Sequence, residues 1–274
     1  MTRLALLIDS VVLMASLSAC SVGHAGGAAD IGRVVDPAER RAIGSLQVAG
    51  YDQLLSRYVD DDGGVDYADW HRSDADRKTL ETFLWRHSEI DPARGSREQR
   101  IAFWINAYNA LTLHGILREY PTDSIRDHTA KLFGYNIWDD LRLYVAGKLY
   151  SLNDIEHNIL RRMNEPRIHF AIVCASKGCP RLLSGAYTAG RLEEQLESNA
   201  KQFFAQRSNF HVDGRTVYLS SILDWFGEDF GASDAAVLKR IGPWLPGAVP
   251  AGNVRVRYTP YDWGLNRREN RRGR

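Results

Sequence analysis

Between residues 97 and 119 the apolar positions do not keep to one face. Ile101, Phe103, Trp104, Ile105, Tyr108, Leu111, Leu113, Ile116 and Leu117 go all the way round a helical wheel. Such a pattern predicts a helix that runs through a core rather than over it. Ser96 is placed to cap its start, and Tyr120-Pro121 stops it. Residues 46–58, 73–87, 189–206, 221–230 and 234–245 also carry helical patterns, as do Ser151 to Arg162. Leu141 to Leu152 alternates about Gly147-Lys148, and Phe210-His211-Val212 and Val217-Tyr218-Leu219 flank Asp213-Gly214. Each of these two segments reads as a β-hairpin. Val65-Asp66-Tyr67 reads as a short extended piece, Arg167 to Cys174 as a buried strand, and Val254 to Tyr258 as a last strand. Helices outnumber strands and the strands arrive in hairpins. The expected fold is therefore α+β, one helix-rich domain over residues 46–266 with a small, mostly antiparallel sheet.

The first nineteen residues obey a different rule. Leu4 to Ile8 and Val11 to Ala15 form an apolar run behind Arg3, closing with Leu17-Ser18-Ala19-Cys20. An apolar segment followed by small residues is what a signal peptidase requires. The cysteine just after the cut resembles the lipobox of bacterial lipoproteins. On that resemblance residues 1–19 are a signal peptide, and Cys20 is the lipidated first residue of the mature chain. Ser21 then favours the outer membrane, facing periplasm or cell surface. The run is short for the ~20 residues of a membrane span. Glycines at 23, 26, 27 and 32 suggest a flexible tether over residues 20–45.

Net charge near zero (+1 formally) argues against a nucleic-acid partner. The basic cluster is the tail 267–274, with five arginines against one glutamate. With 44% apolar residues the chain can bury a substantial core. The acidic turn Asp60-Asp61-Asp62-Gly63-Gly64 lacks the ligand spacing of a calcium loop.

Three features carry chemistry. Asn106 and Asn109 lie on one line of the apolar helix, so their amides need partners, either a loop's backbone or a ligand. With Ile155 at the centre of a regular helical wheel, Glu156 falls inside the apolar arc and His157 outside it. A carboxylate on a buried face is costly unless it is paired. Cys174 and Cys179 are the two thiols left after lipidation, and outside the cytoplasm such a pair is often oxidised. Alternatively one of them, beside a loop of small residues, is a nucleophile. Zinc is disfavoured because Cys174, Cys179, His157 and His169 lack paired ligand spacings, and no metal or other cofactor is expected.

Five segments together resemble the domain-of-unknown-function family 547. They are Ala102 to Leu111, Tyr120 to Ile125, Ser151 to His157, Ile168 to Pro180 and Tyr261-Asp262-Trp263-Gly264-Leu265-Asn266. The resemblance runs from about residue 50 to 266. That family occurs in bacterial secreted and lipoprotein contexts and in plant proteins, and no activity comes with it. It implies that Asn106, Asn109, Glu156, His157, Cys174, Ser176, Cys179, Asp262 and Asn266 form a common framework.

Two functions are open at this point. One is a membrane-anchored lipoprotein with a non-enzymatic binding or scaffolding domain, held by a Cys174–Cys179 disulfide. Its binding residues would include Asn109, His169, Ser176, Asp262 and Asn266, and its partners the lipid bilayer, through Cys20, and a protein or peptide. The other is a thiol-dependent hydrolase or acyltransferase acting on a peptide or amide bond. It would use Cys174 as nucleophile, His157 as base and Glu156 or Asn106 as orienter. A regular strand would turn His169 away from Cys174, which favours His157.

Overall fold

The computed structural model describes residues 28–129 and 135–269. The expected signal peptide, Cys20 and the last five residues lie outside this range. In chain order, β1 (Ala29–Ile31) and β2 (Arg41–Ala42) precede the helices α1 (Ala49–Tyr58), α2 (Tyr67–Arg72) and α3 (Asp74–Arg86). After β3 (Ile90–Asp91) come the long α4 (Arg97–Glu119), the short α5 (Ile137–Asp140) and the hairpin β4 (Leu141–Val145) and β5 (Lys148–Ser151). A π-helix, Asp154–Leu160, and a 3-10 turn, Pro166–Phe170, lead to an irregular stretch through Cys174. The chain ends with α6 (Leu192–Ala205), β6 (Phe210–Asp213), β7 (Thr216–Ser220), α7 (Ile222–Trp225), α8 (Asp234–Ile241) and β8 (Arg255–Thr259).

The α+β expectation holds, and α4 covers residues 97–119 as the pattern predicts. Ser96 accepts from the Gln99 amide while the Gln99 side chain accepts from the Ser96 amide, so two orphan donors of the first turn are satisfied reciprocally. The sheets are more mixed than hairpins alone would make them. β4 and β5 pair antiparallel, and β1 joins β4 in parallel from more than a hundred residues upstream. β6 and β7 do the same with β8. A parallel partner cannot be read from the local alternation that reveals a hairpin.

Three local expectations are corrected. The stretch 28–45 is not a tether: β1 pairs with β4, and Ile31, Val35 and Ile43 are buried. Residues 167–174 do not form a strand, because Pro166 opens a 3-10 turn that runs to Phe170. The segment after Ser151 is not a regular α-helix. Its hydrogen bonds reach five residues back, as from the Arg161 amide to the Glu156 carbonyl, so a wheel drawn at α-helical pitch misplaces its faces.

Two hydrophobic cores result. The larger surrounds α4, which is buried along most of its length, and takes in α1, α3 and the β4–β5 hairpin. The smaller packs Phe203 and Phe204 of α6 and Leu238 of α8 against Val217 and Leu219 of β7, with Phe170 and Trp244 between them. Ile168 belongs to the first core and Phe170 to the second. The single turn between them therefore stitches the cores together and carries His169 to their seam.

Candidate functional site

The position of Cys174 is set from α4. The Asn109 side-chain amide donates to the Ala171 carbonyl at 3.0 Å, and its oxygen accepts from the Val173 amide at 2.9 Å. Here a side chain replaces a neighbouring strand and fixes the backbone up to the residue before the cysteine. Asn106 treats Tyr187 in the same way, with contacts of 2.8 and 2.9 Å. Asn106 is thereby committed to that backbone and does not line the cavity described below, so it is no orienter of a catalytic group.

Beyond Cys174 the chain turns sharply. Ala175 sits at φ 60°, a left-handed conformation that costs a non-glycine residue about 1 kcal/mol or more. The turn is held by the C-terminal segment. Asn266 donates its amide to the Ala175 carbonyl, and the amides of Lys177 and Gly178 donate to the carbonyls of Gly264 and Asp262. A Cβ on Gly178 would lie 2.8 Å from the Tyr261 ring and 3.0 Å from the Asp262 nitrogen, so only glycine lets the two segments approach this closely. Asp262 and Asn266 thus act as clasps. The Asp262 carboxylate accepts from the Gly264 amide, and the Asn266 side-chain oxygen accepts from the Tyr67 hydroxyl. Neither residue lines the cavity beside Cys174.

Cys174 and Cys179 are free thiols. Their sulfurs are 2.7 Å apart, against about 2.05 Å in a disulfide, so the expected disulfide is not formed. The two sulfurs instead belong to a hydrogen-bonded cluster. The Tyr261 hydroxyl lies 3.2 Å from the Cys174 sulfur and 3.0 Å from that of Cys179. The Ser176 hydroxyl is 3.5 Å from the Cys174 sulfur, and the Cys174 amide donates to the Cys179 sulfur at 3.0 Å. A hydrogen bond from Cys179, helped by Ser176 and Tyr261, brings the Cys174 thiol down to about 7. Burial and the negative charge on Cys174 push the Cys179 thiol up. The fold therefore makes one acidic thiol and one reluctant one.

Glu156 is partly buried and takes a hydrogen bond from the Tyr108 hydroxyl at 3.3 Å. Burial, then the charge at Cys174, raises its carboxyl to about 7. A carboxyl held up in this way faces, across the same cavity, a thiol held down.

The histidines are placed differently from expectation. His157 is exposed, and the Arg161 guanidinium lies 3.3 Å from its Nδ1. Arginine only donates, so Nδ1 accepts and the neutral ring carries its proton on Nε2. Burial and the Arg161 charge lower its pKa. His157 lines the cavity with its Nδ1 engaged by Arg161. His169 does not point away from Cys174, because the strand that would have turned it away is absent. Its Nε2 lies 2.7 Å from the Asp229 carboxylate, and its ring stacks on Phe226 with centroids 4.3 Å apart. Burial would raise the Asp229 carboxyl, but hydrogen bonds from His169 and Arg161 outweigh it and hold it well below the usual range. Desolvation keeps the His169 ring neutral at pH 7 despite Asp229, so Nδ1 is its accepting nitrogen.

These groups surround a cavity of about 290 Å³ at the seam of the two cores. Cys174, Cys179, Glu156, His157 and His169 line it, along with Tyr108, Trp138, Trp225, Phe226, Tyr261 and Trp263. Ser176 and Asn266 instead face a second, more polar groove behind the cysteine loop. Sequence reasoning missed Tyr261, which sits inside a motif it had quoted, and Asp229 and Arg161, which no local pattern marks. Among the described residues no cluster of His, Cys, Asp and Glu is arranged to hold a metal ion.

Residues 92–204 match the family described as "Protein of unknown function, DUF547". The match supports that domain family for this part of the chain. It includes both asparagine clamps, the π-helix and both thiols, whereas Asp229, Tyr261 and Trp263 lie beyond the matched stretch. No curated protein and no solved structure matches the chain.

Proposed function

We propose that this is a lipid-anchored extracytoplasmic protein whose Cys174 acts as a nucleophile on a carbonyl compound held in the aromatic cavity. The class of reaction is thiol-dependent hydrolysis or acyl transfer at a peptide or amide bond. The observation that carries this reading is the Cys174 sulfur at the wall of the cavity, 2.7 Å from the Cys179 sulfur and 3.2 Å from the Tyr261 hydroxyl, contacts that lower its pKa. The anchor rests on Leu17-Ser18-Ala19-Cys20 behind an apolar run, with Ser21 favouring the outer membrane. Among the described residues no helix is long and apolar enough to cross a membrane.

In this reading the Cys174 thiolate attacks the carbonyl carbon and the C–N bond breaks. The protonated Glu156 carboxyl gives its proton to the departing amine. The thioester left on Cys174 passes to water or to an acceptor. Neutral His169, oriented by Asp229, is the imidazole available to take that acceptor's proton, and the His157 N–H is a donor for developing negative charge.

A second reading, binding without catalysis, has its own support. Neither imidazole is among the hydrogen-bond partners of the Cys174 sulfur. The amides of Val173, Cys174, Lys177, Gly178 and Cys179 are all donated within the fold, so the cysteine loop offers none of them to an oxyanion. The two readings part on a trapping experiment. The protein is incubated at neutral pH with p-nitrophenyl acetate and with a thioester, and its intact mass and peptides are read. An acyl group on Cys174, absent in Cys174→Ser, is the expected result. A folded protein that never acquires it would favour binding alone.

A further inference from the structure

Acyl transfer uses Cys179 only as a hydrogen-bond partner, although its own thiol lies 2.7 Å from the nucleophile. We infer that Cys174 and Cys179 form an exchanging dithiol that reduces small disulfides admitted to the cavity, Cys174 attacking and Cys179 resolving. The inference rests on the reading of Cys174 as a nucleophile and adds a second electrophile, a disulfide sulfur, to its range.

The geometry supplies what each step requires. Both cysteines line the cavity, but Cys174 is partly exposed there and Cys179 is buried. An incoming disulfide therefore meets Cys174 first. Its thiolate attacks one sulfur, the substrate S–S bond breaks, and one thiolate leaves. The mixed disulfide on Cys174 then lies beside Cys179. The Cys174 amide already donates to the Cys179 sulfur at 3.0 Å, and the Tyr261 hydroxyl, also 3.0 Å away, can turn its single proton to that sulfur once Cys174 is no longer charged. Both stabilise negative charge on that sulfur once its proton has gone to solvent.

Formation of the mixed disulfide also removes the charge that opposed this ionisation. With Cys174 anionic, the Cys179 thiol is pushed up by burial and by that neighbouring charge. With Cys174 bonded to a substrate sulfur, only burial remains. Cys179 is thus held back until it is needed, and then attacks the Cys174 sulfur. The second substrate thiolate leaves and a Cys174–Cys179 bond closes. The substrate disulfide has gained two electrons and the protein has lost two. A thiol reductant from outside the protein returns the dithiol. Closing the bond requires the sulfurs to approach by only about 0.7 Å, so the loop need not be rebuilt.

The test uses the full chain carrying Cys20→Ala, which leaves Cys174 and Cys179 as its only thiols. Reduced protein is mixed with oxidised glutathione at neutral pH and its intact mass is followed. The expected product is two hydrogens lighter and carries no glutathione, with a Cys174–Cys179 cross-linked peptide after digestion. Cys179→Ser in the same background should instead retain one glutathione on Cys174, with ~tenfold more adduct than the parent at equal time. If the parent itself keeps glutathione on Cys174, the inference fails while Cys174 remains a nucleophile. If neither protein reacts folded but both react after denaturation, Cys174 is no nucleophile and both readings fail. The parent's mass decides the matter even if Cys179→Ser does not fold.

Discussion

Asn109 of α4 and Glu156 of the π-helix are both polar groups set among apolar ones, and their surroundings differ in kind. Each side of the Asn109 amide meets a backbone group at about 3 Å, as does each side of Asn106. Glu156 has one long contact to a phenol, a raised carboxyl and a cavity in front of it. The asparagines are complete and make structure. The carboxylate is left incomplete, and incompleteness of that sort is stabilised only by what later enters the cavity. Buried polarity alone does not point to function; polarity without a full set of partners does.

The largest expected effect comes from breaking the complete side. Asn109→Ala leaves the Ala171 carbonyl and the Val173 amide unpaired, at roughly 1–3 kcal/mol for each buried group. In a domain of this size the melting temperature should fall by roughly 5–15 °C. Asn106→Ala should cost a similar amount through Tyr187. The two variants should differ at the thiol: Asn109→Ala displaces the backbone before Cys174 and slows its alkylation, whereas Asn106→Ala leaves alkylation unchanged. Calorimetry together with alkylation kinetics checks both. Equal slowing in the two variants would erase the distinction between a general clamp and a site-positioning one.

A smaller effect is expected on the incomplete side. The Glu156 carboxyl lies at about 7 in the fold, against a usual 4.5. Between those two values the folded state binds more protons than the unfolded one, so stability falls as pH rises through that window and is level above it. Glu156→Gln cannot ionise and should flatten this fall. It should also raise the alkylation rate of Cys174 near and above neutrality, where the parent's ionised carboxylate opposes the neighbouring thiolate. Urea titrations at several pH values read the first effect. A parent protein whose Glu156-dependent stability instead rises from pH 4.5 to 7 would show the carboxylate to be paired.

How far the sequence carried these conclusions depends on the range of the interaction involved. The α4 helix and both hairpins were legible because their signals are local: a capping serine, an apolar run, alternation about a glycine. The asparagines were identified as needing partners, but Ala171, Val173 and Tyr187 lie more than sixty residues away and no periodicity names them. Glu156 and Cys174 were chosen from residue type and segment pattern. The expected direction of His169 failed for a specific reason. It assumed a regular strand through His169, where Pro166 opens a 3-10 turn instead. The tautomer of His157 depends on Arg161, four residues on along a helix whose pitch is not α-helical. Asp229, sixty residues from His169, reaches it only because the two cores meet there.

The central claim is that Cys174 is an acidic, reachable thiol at the cavity wall. Its most direct test is the pH dependence of Cys174 alkylation by iodoacetamide, followed by peptide mass in the folded full chain. Half-maximal rate near pH 7, with Cys179 unmodified over the same time, is the predicted result. A midpoint near the ordinary thiol value of 9, or equal labelling of the two cysteines, would contradict the account.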